Sequence, residues 1–169
     1  NISLKIAIVG KYTNLSDCYL SVVESLTHAA VHHNCTLDIK WVNSEDLRSD
    51  TVALQLNDVD GVIIPGGFGE RGTTGKIQAA KYARENGVPY LGLCLGMQIA
   101  VIEFSRNVCG LTGAMSMEFK PDTPHPVIHL MDAQEDVMNK GGTMRLGQYP
   151  CAVLPQSGLH ALYGKDLIH

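Results

Sequence analysis

The sequence has no run of basic residues. Its 17 Asp and Glu outnumber 13 Lys and Arg, for a net charge of −4, and that balance argues against a protein that tracks nucleic-acid phosphates. No apolar stretch approaches the roughly 20 residues that cross a bilayer, and the first residues show no signal-peptide pattern, so neither nucleic acid nor membrane is an expected partner. There is no C-x-x-C pair either. The five cysteines (Cys18, Cys35, Cys94, Cys109 and Cys151) are odd in number and scattered, which speaks against a disulfide framework or a zinc site and for a reducing, cytosolic setting. Repeats, linkers and low-complexity tracts are also missing. A chain of 169 residues without them reads as a single domain, large enough for a real core.

What is present alternates. Leu4 to Val9 is apolar and ends at Gly10, as a first strand does. Asp17 to His32 carries helical spacing through Leu20, Val23, Leu26 and Ala30, with Asp17 placed to cap it. Leu37 to Val42 marks a second strand, 46–57 a short helix with loops, and Gly61 to Ile64 a third, wholly apolar strand stopped by Pro65-Gly66-Gly67. A helix follows over 74–86, then a buried parallel strand over 88–93 and a helix from Leu95 to about Arg106. Strands and helices in this order predict an α/β fold of three layers. It has a mostly parallel open sheet with helices on both faces. After Gly113 the prolines break up shorter β-like runs at 126–130 and 142–153, where mixed or antiparallel strands are expected.

The change of period falls at Cys94, inside Gly92-Leu93-Cys94-Leu95-Gly96. This is the thiol form of a nucleophile elbow, a strained strand-to-helix turn that presents one reactive side chain. Side chains at 92 and 96 would crowd such a turn. A helix beginning at Leu95 would favour thiolate at Cys94. Ligands of parallel sheets gather at the carboxyl ends of the strands, so Cys94 and the Pro65-Gly66-Gly67 turn should be neighbours. The amides of Gly66 or Gly67, with that of Leu95, can then converge as an oxyanion hole.

Other motifs carry less. Gly67-Phe68-Gly69-Glu70-Arg71-Gly72 fits G-x-G-x-x-G, but it follows the third strand and lacks the acidic residue that holds a ribose. A phosphate-binding P-loop fails because Gly75-Lys76 is followed by Ile77. A cysteine nucleophile needs a base, yet none of His28, His32, His33, His125, His129, His160 and His169 has an acidic residue two positions on. Arg145, within a glycine-rich stretch from 141 to 147, has the side chain for gripping a carboxylate, and Glu118 can accept from an ammonium. Taken alone, both read better as surface charges near loops.

Pro65-Gly66-Gly67-Phe68-Gly69, Gly92-x-Cys94-x-Gly96-Met97-Gln98 and the order of elements resemble the glutaminase domain of the Cys-type (class I) glutamine amidotransferases. Val9 to Tyr12, Gly67 to Gly72, Glu103 to Val108 and Gly141 to Gly147 resemble one branch of that family, in which the released ammonia amidates UTP at the expense of ATP. The resemblance implies hydrolysis of glutamine through a Cys94 thioester. It implies that Gly67, Leu95, Gly96, Met97 and Gln98 line the glutamine pocket, and that Glu118 and Arg145 hold the amino-acid end. It implies a glutaminase domain over 1–169 whose catalytic His and Glu lie beyond His169, joined to an N-terminal synthetase domain of the same polypeptide. No cofactor or metal is expected in this domain. ATP, Mg and the activator GTP belong to the full-length enzyme, which is expected to be a homo-oligomer. Another class I amidotransferase, or a catalytically dead regulatory or assembly module, stands as the alternative.

Overall fold

The computed structural model describes residues 2–13, 16–129 and 147–169, which fall into two compact units, Asn1–Leu130 and Met131–His169. The first unit is built on a four-stranded parallel sheet. Strand β1 (Ile2–Gly10) lies between β2 (Cys35–Asn43) and β3 (Gly61–Ile64), and β4 (Tyr90–Gly92) flanks β3, giving the order β2-β1-β3-β4. Pairing of β1 with β2 runs unbroken from Ile2↔Cys35 to Gly10↔Asn43. β-branched residues fill these strands because they fit a pleated, buried surface. All four residues of β3 are buried, as its apolar run predicts.

Helices α2 (Val52–Leu56), α3 (Thr73–Asn86) and α4 (Leu95–Asn107) supply one side of the core. Their Val52, Leu56, Ile77, Ala80, Ala83, Leu95, Ile99 and Ile102 meet Ala7, Val9, Val42, Val62 and Ile64 of the strands. Helix α3 stops at Gly87, whose φ of 66° is the left-handed conformation glycine adopts without strain, and whose N–H donates to the Ala83 carbonyl. On the opposite face stands α1 (Leu20–His32), in which Ala30 is the buried residue. The expected three layers are therefore present.

Two local expectations change, while the mixed pairing expected after Gly113 is present. Asp17 does not cap α1; it lies within a 3-10 turn, Ser16–Tyr19, and Tyr19 occupies the cap position without a side-chain bond. The strand expected over 88–93 shortens to Tyr90–Gly92 and, among the described residues, sits at the sheet edge, with Leu91 53% exposed. Proline at 89 has no N–H to give a ladder; its carbonyl instead accepts from the Val62 amide at 2.8 Å. The pair β5 (Met115–Ser116) and β6 (Pro126–Ile128) is parallel. Antiparallel pairing appears in the second unit, between β7 (Cys151–Ala152) and β8 (Leu167–Ile168). That unit also holds a short helix, α5 (Gly158–Tyr163), capped by the Ser157 hydroxyl, which accepts from the His160 N–H at 3.1 Å.

The two ends of the sheet differ in chemistry. At the amino end, Lys5 and Lys40 share Asp58 at 2.9 and 2.7 Å. These two ammonium groups pull the Asp58 carboxyl down to about 2. Glycine-rich turns leave the carboxyl end instead.

Candidate active site

Cys94 is the hinge between β4 and α4. Its φ of 54° and ψ of −106° place a non-glycine residue in a region that L side chains avoid, and such strain persists only where the surroundings over-determine it. They do so here. The Leu93 N–H donates to the Ile64 carbonyl at 3.0 Å, Gly96 N–H to Leu93 at 2.9 Å, and Met97 and Gln98 N–H to Cys94 at 3.0 and 3.3 Å. A Cβ on Gly96 would lie 2.0 Å from the Ile64 carbonyl oxygen, and one on Gly92 would lie 2.4 Å from the Gly96 carbonyl carbon. Both glycines are thus required by close backbone approach, as the sequence predicts. The thiol is exposed and unpaired.

Helix starts leave amides without intrahelical acceptors. The Gly96 and Met97 amides are taken up by the turn, so Leu95 carries the first uncommitted N–H of α4 among the described residues. The turn after β3 comes to the same place. A Cβ on Gly66 would stand 3.5 Å from the Cys94 Cβ, and one on Gly67 would stand 3.7 Å from Leu95 Cδ2. Gly66, Gly67, Cys94 and Leu95 are therefore brought together. Gly67 itself has room for a methyl in ordinary contact; the crowded glycines are 92 and 96. Along α4, Gly96 is buried, Gln98 half-buried and Met97 59% exposed.

Glu118 reaches this turn as well. Its carboxylate accepts from the Gly69 N–H at 3.3 Å, and its own N–H donates to Ser116 Oγ at 3.2 Å. Arg145 and residues 141–146 of the glycine-rich stretch lie outside the described residues. His28, His32 and His33 are exposed, as expected. His160 pairs with Asp166 at 3.0 Å within the second unit.

Several polar groups near the turn escape periodicity arguments. The Lys11 ammonium donates to the Phe68 carbonyl and lies 5.5 Å from the Tyr12 ring centre, which Arg71 also approaches at 5.2 Å. Lys76 is buried among α3 residues, 1% exposed, and burial lowers it to about 8, helped by the charges of Lys11 and Arg71. The available signal was position alone: Lys11 follows the first strand at its carboxyl end. Behind the elbow, the Tyr90 hydroxyl donates to the Gly96 carbonyl at 2.6 Å. Arg84 of α3 grips Glu103 of α4 through Nε at 3.1 and 3.0 Å and Nη2 at 2.8 Å. Among the described residues, no group of three or more His, Cys, Asp or Glu is placed to hold a metal ion, and no helix is long and apolar enough to cross a membrane.

A cysteine on a strained turn, a neighbouring helix start and a facing glycine turn are an arrangement chemically able to present a thiol and backbone amides to a carbonyl. The family model for class-I glutamine amidotransferases matches residues 14–166, and the chain belongs to that family. Its relatives narrow the likeness. The chain is 57% identical to CTP synthase of Moorella thermoacetica over 166 residues, covering 98% of the chain and 31% of that protein. It is likewise 57% identical to CTP synthase of Nostoc punctiforme, covering 98% of the chain and 30% of that protein. Among solved structures, the glutaminase domain of Trypanosoma brucei CTPS with bound acivicin superposes with a TM-score of 0.81 at 38% identity, over 97% of this chain and 64% of that one. The chain thus spans under a third of the length of the curated relatives it matches.

Proposed function

We propose that these residues form part of a glutaminase domain that hydrolyses glutamine to glutamate and ammonia, with Cys94 as nucleophile. The observation that carries this reading is the strained Cys94 on the turn between β4 and α4, so near Gly66 that a Cβ added there would stand 3.5 Å from the Cys94 Cβ. The thiolate adds to the side-chain carboxamide, and the oxygen of the tetrahedral intermediate takes hydrogen bonds from Leu95 and from Gly66 or Gly67. Collapse to the Cys94 thioester releases ammonia; water then releases glutamate. Glu118 and Arg145 hold the amino-acid end of the substrate, and Gly67, Gly96, Met97 and Gln98 complete the pocket. The proton transfers fall to a His and a Glu in polypeptide beyond residue 169.

In this reading the ammonia passes to a synthetase domain of the same polypeptide, which converts UTP to CTP with ATP and Mg. GTP activates the glutaminase step, and the full-length protein is a homo-oligomer. Likeness to CTP synthases over nearly the whole chain supports that assignment above other amidotransferases. Five unpaired cysteines support a reducing, cytoplasmic location. The test is Cys94→Ala in the full-length polypeptide. Glutamine-dependent CTP formation should fall at least about 1000-fold while ammonia-dependent formation stays intact, because the thiol serves only to open the amide. An equal loss of both activities would make Cys94 structural.

A further inference from the structure

The first turn of α4 is held by backbone on two sides. The Ile64 carbonyl fills the space where a Gly96 Cβ would stand, and Gly92 lies against the Gly96 carbonyl. Among the described residues, one side chain makes a hydrogen bond to that turn: Tyr90, whose hydroxyl donates to the Gly96 carbonyl at 2.6 Å. Cys94, at the helix cap, has no side-chain cap bond of its own. The tyrosine is in turn backed by the junction of α3 and α4. Glu103, 2% exposed, accepts from Arg84 and from Asn107 Nδ2 at 3.1 Å.

We propose that Tyr90 is a positioning residue for the nucleophile turn, its hydroxyl fixing the Gly96 carbonyl so that the Leu95 amide points beside Cys94. The inference rests on the glutaminase reading. Geometry gives its reason. The Gly96 carbonyl shares its peptide plane with the Met97 N–H, which donates to the Cys94 carbonyl at 3.0 Å, and that carbonyl shares its plane with the Leu95 N–H, so a pivot at Gly96 is passed through this bond to the Leu95 amide. Burial, and then the nearby Glu103 charge, push the Tyr90 hydroxyl upward, so it remains a donor throughout the physiological range. Loss of the hydroxyl should therefore affect stabilisation of the developing oxyanion more than substrate affinity or thiol access.

The variant is Tyr90→Phe in the full-length polypeptide, which keeps the ring and removes one oxygen. The probe is a diazoketone analogue of glutamine. Sγ adds to the keto carbon, whose oxygen takes the negative charge beside the Leu95 amide; the terminal carbon then takes up a proton, dinitrogen leaves as sulfur shifts to that carbon, the ketone re-forms, and a thioether is left at Cys94. The maximal labelling rate should fall about 3- to 10-fold, the range for one neutral hydrogen bond. The half-saturating concentration should stay the same, as should alkylation by iodoacetamide, which needs no oxyanion site. Amide hydrogen exchange at Gly96 and Met97 should accelerate by a similar factor, with the melting transition little changed. Unchanged labelling or unchanged exchange in Tyr90→Phe overturns the role of Tyr90 and leaves the glutaminase reading standing. Failure of the wild-type protein to be labelled at Cys94 overturns both.

Discussion

The two faces of the sheet are built to different standards. On the face covered by α2, α3 and α4, residues such as Leu56, Ile64, Ala83, Ile99 and Ile102 are 0% exposed and form one contiguous cluster. On the other face, α1 is the helix of the first unit among the described residues. Between it and the strands lies an apolar cavity of about 360 Å³ lined by Val22, Leu26, Ile63, Leu91 and Leu93, among others. Edge residue Leu91 is half exposed there. The nucleophile turn leans on the dense face, since α4 begins at the turn and its buried residues belong to that cluster. Dense packing is what transmits a fixed geometry. Site geometry and most of the stability should therefore reside on one face, and substitutions can separate the two.

The largest effect is expected at Gly96. A side chain there meets the Ile64 carbonyl at 2.0 Å, so Gly96→Val should cost more than about 4 kcal/mol and leave little folded protein. Urea unfolding of the purified variant checks this, and a native-like midpoint would show that the turn relaxes. Ile99→Ala, on the dense face, should follow at about 2–5 kcal/mol through cavity formation.

Lys76 gives a smaller effect with a pH signature. Its folded pKa of about 8 is below the ordinary 10.5, so the unfolded chain binds more protons between those values. Stability should rise with pH across about 8 to 10.5; below 8 both states are protonated and the full penalty stands. Lys76→Met should stabilise the protein by about 1–3 kcal/mol at pH 7 and remove that slope. A pH titration of the unfolding midpoint for both proteins decides it, and parallel curves would mean Lys76 is not desolvated. Smallest of all should be Leu91→Ala, within about 1 kcal/mol, because its side chain has little packing to lose. A loss matching Ile99→Ala would erase the distinction between the faces.

Much of this was legible in the sequence because it depends on local pattern. The Gly61–Ile64 strand, the switch of period at Cys94 and the two elbow glycines are each written in fewer than ten residues, and the structure has them where the pattern puts them. The proximity of Gly66 and Gly67 to Cys94 followed from one topological rule, that both end parallel strands. Edge status was not legible. Val88 to Leu93 is as apolar as a central strand, and only the sheet order shows that, among the described residues, β4 has a single partner. Nor could spacing show Lys11 against Phe68, 57 positions apart, or Arg84 closed on Glu103. Such pairs join separate elements, so no period marks them. Asp17 misled because an acidic residue before an apolar run suits a 3-10 turn as readily as a cap.

Strand order also has a meaning in time. β1 is central, β2 joins one side of it, β3 the other, and β4 is added to β3, so each strand emerging during synthesis finds its neighbour already made. At about 5–20 residues per second, the ribosome delivers β4 roughly 4–18 s after β1. Among the described strands of this sheet β4 is the last to emerge, and Cys94 follows it, so its strained conformation can form only once the supporting strands have left the ribosome.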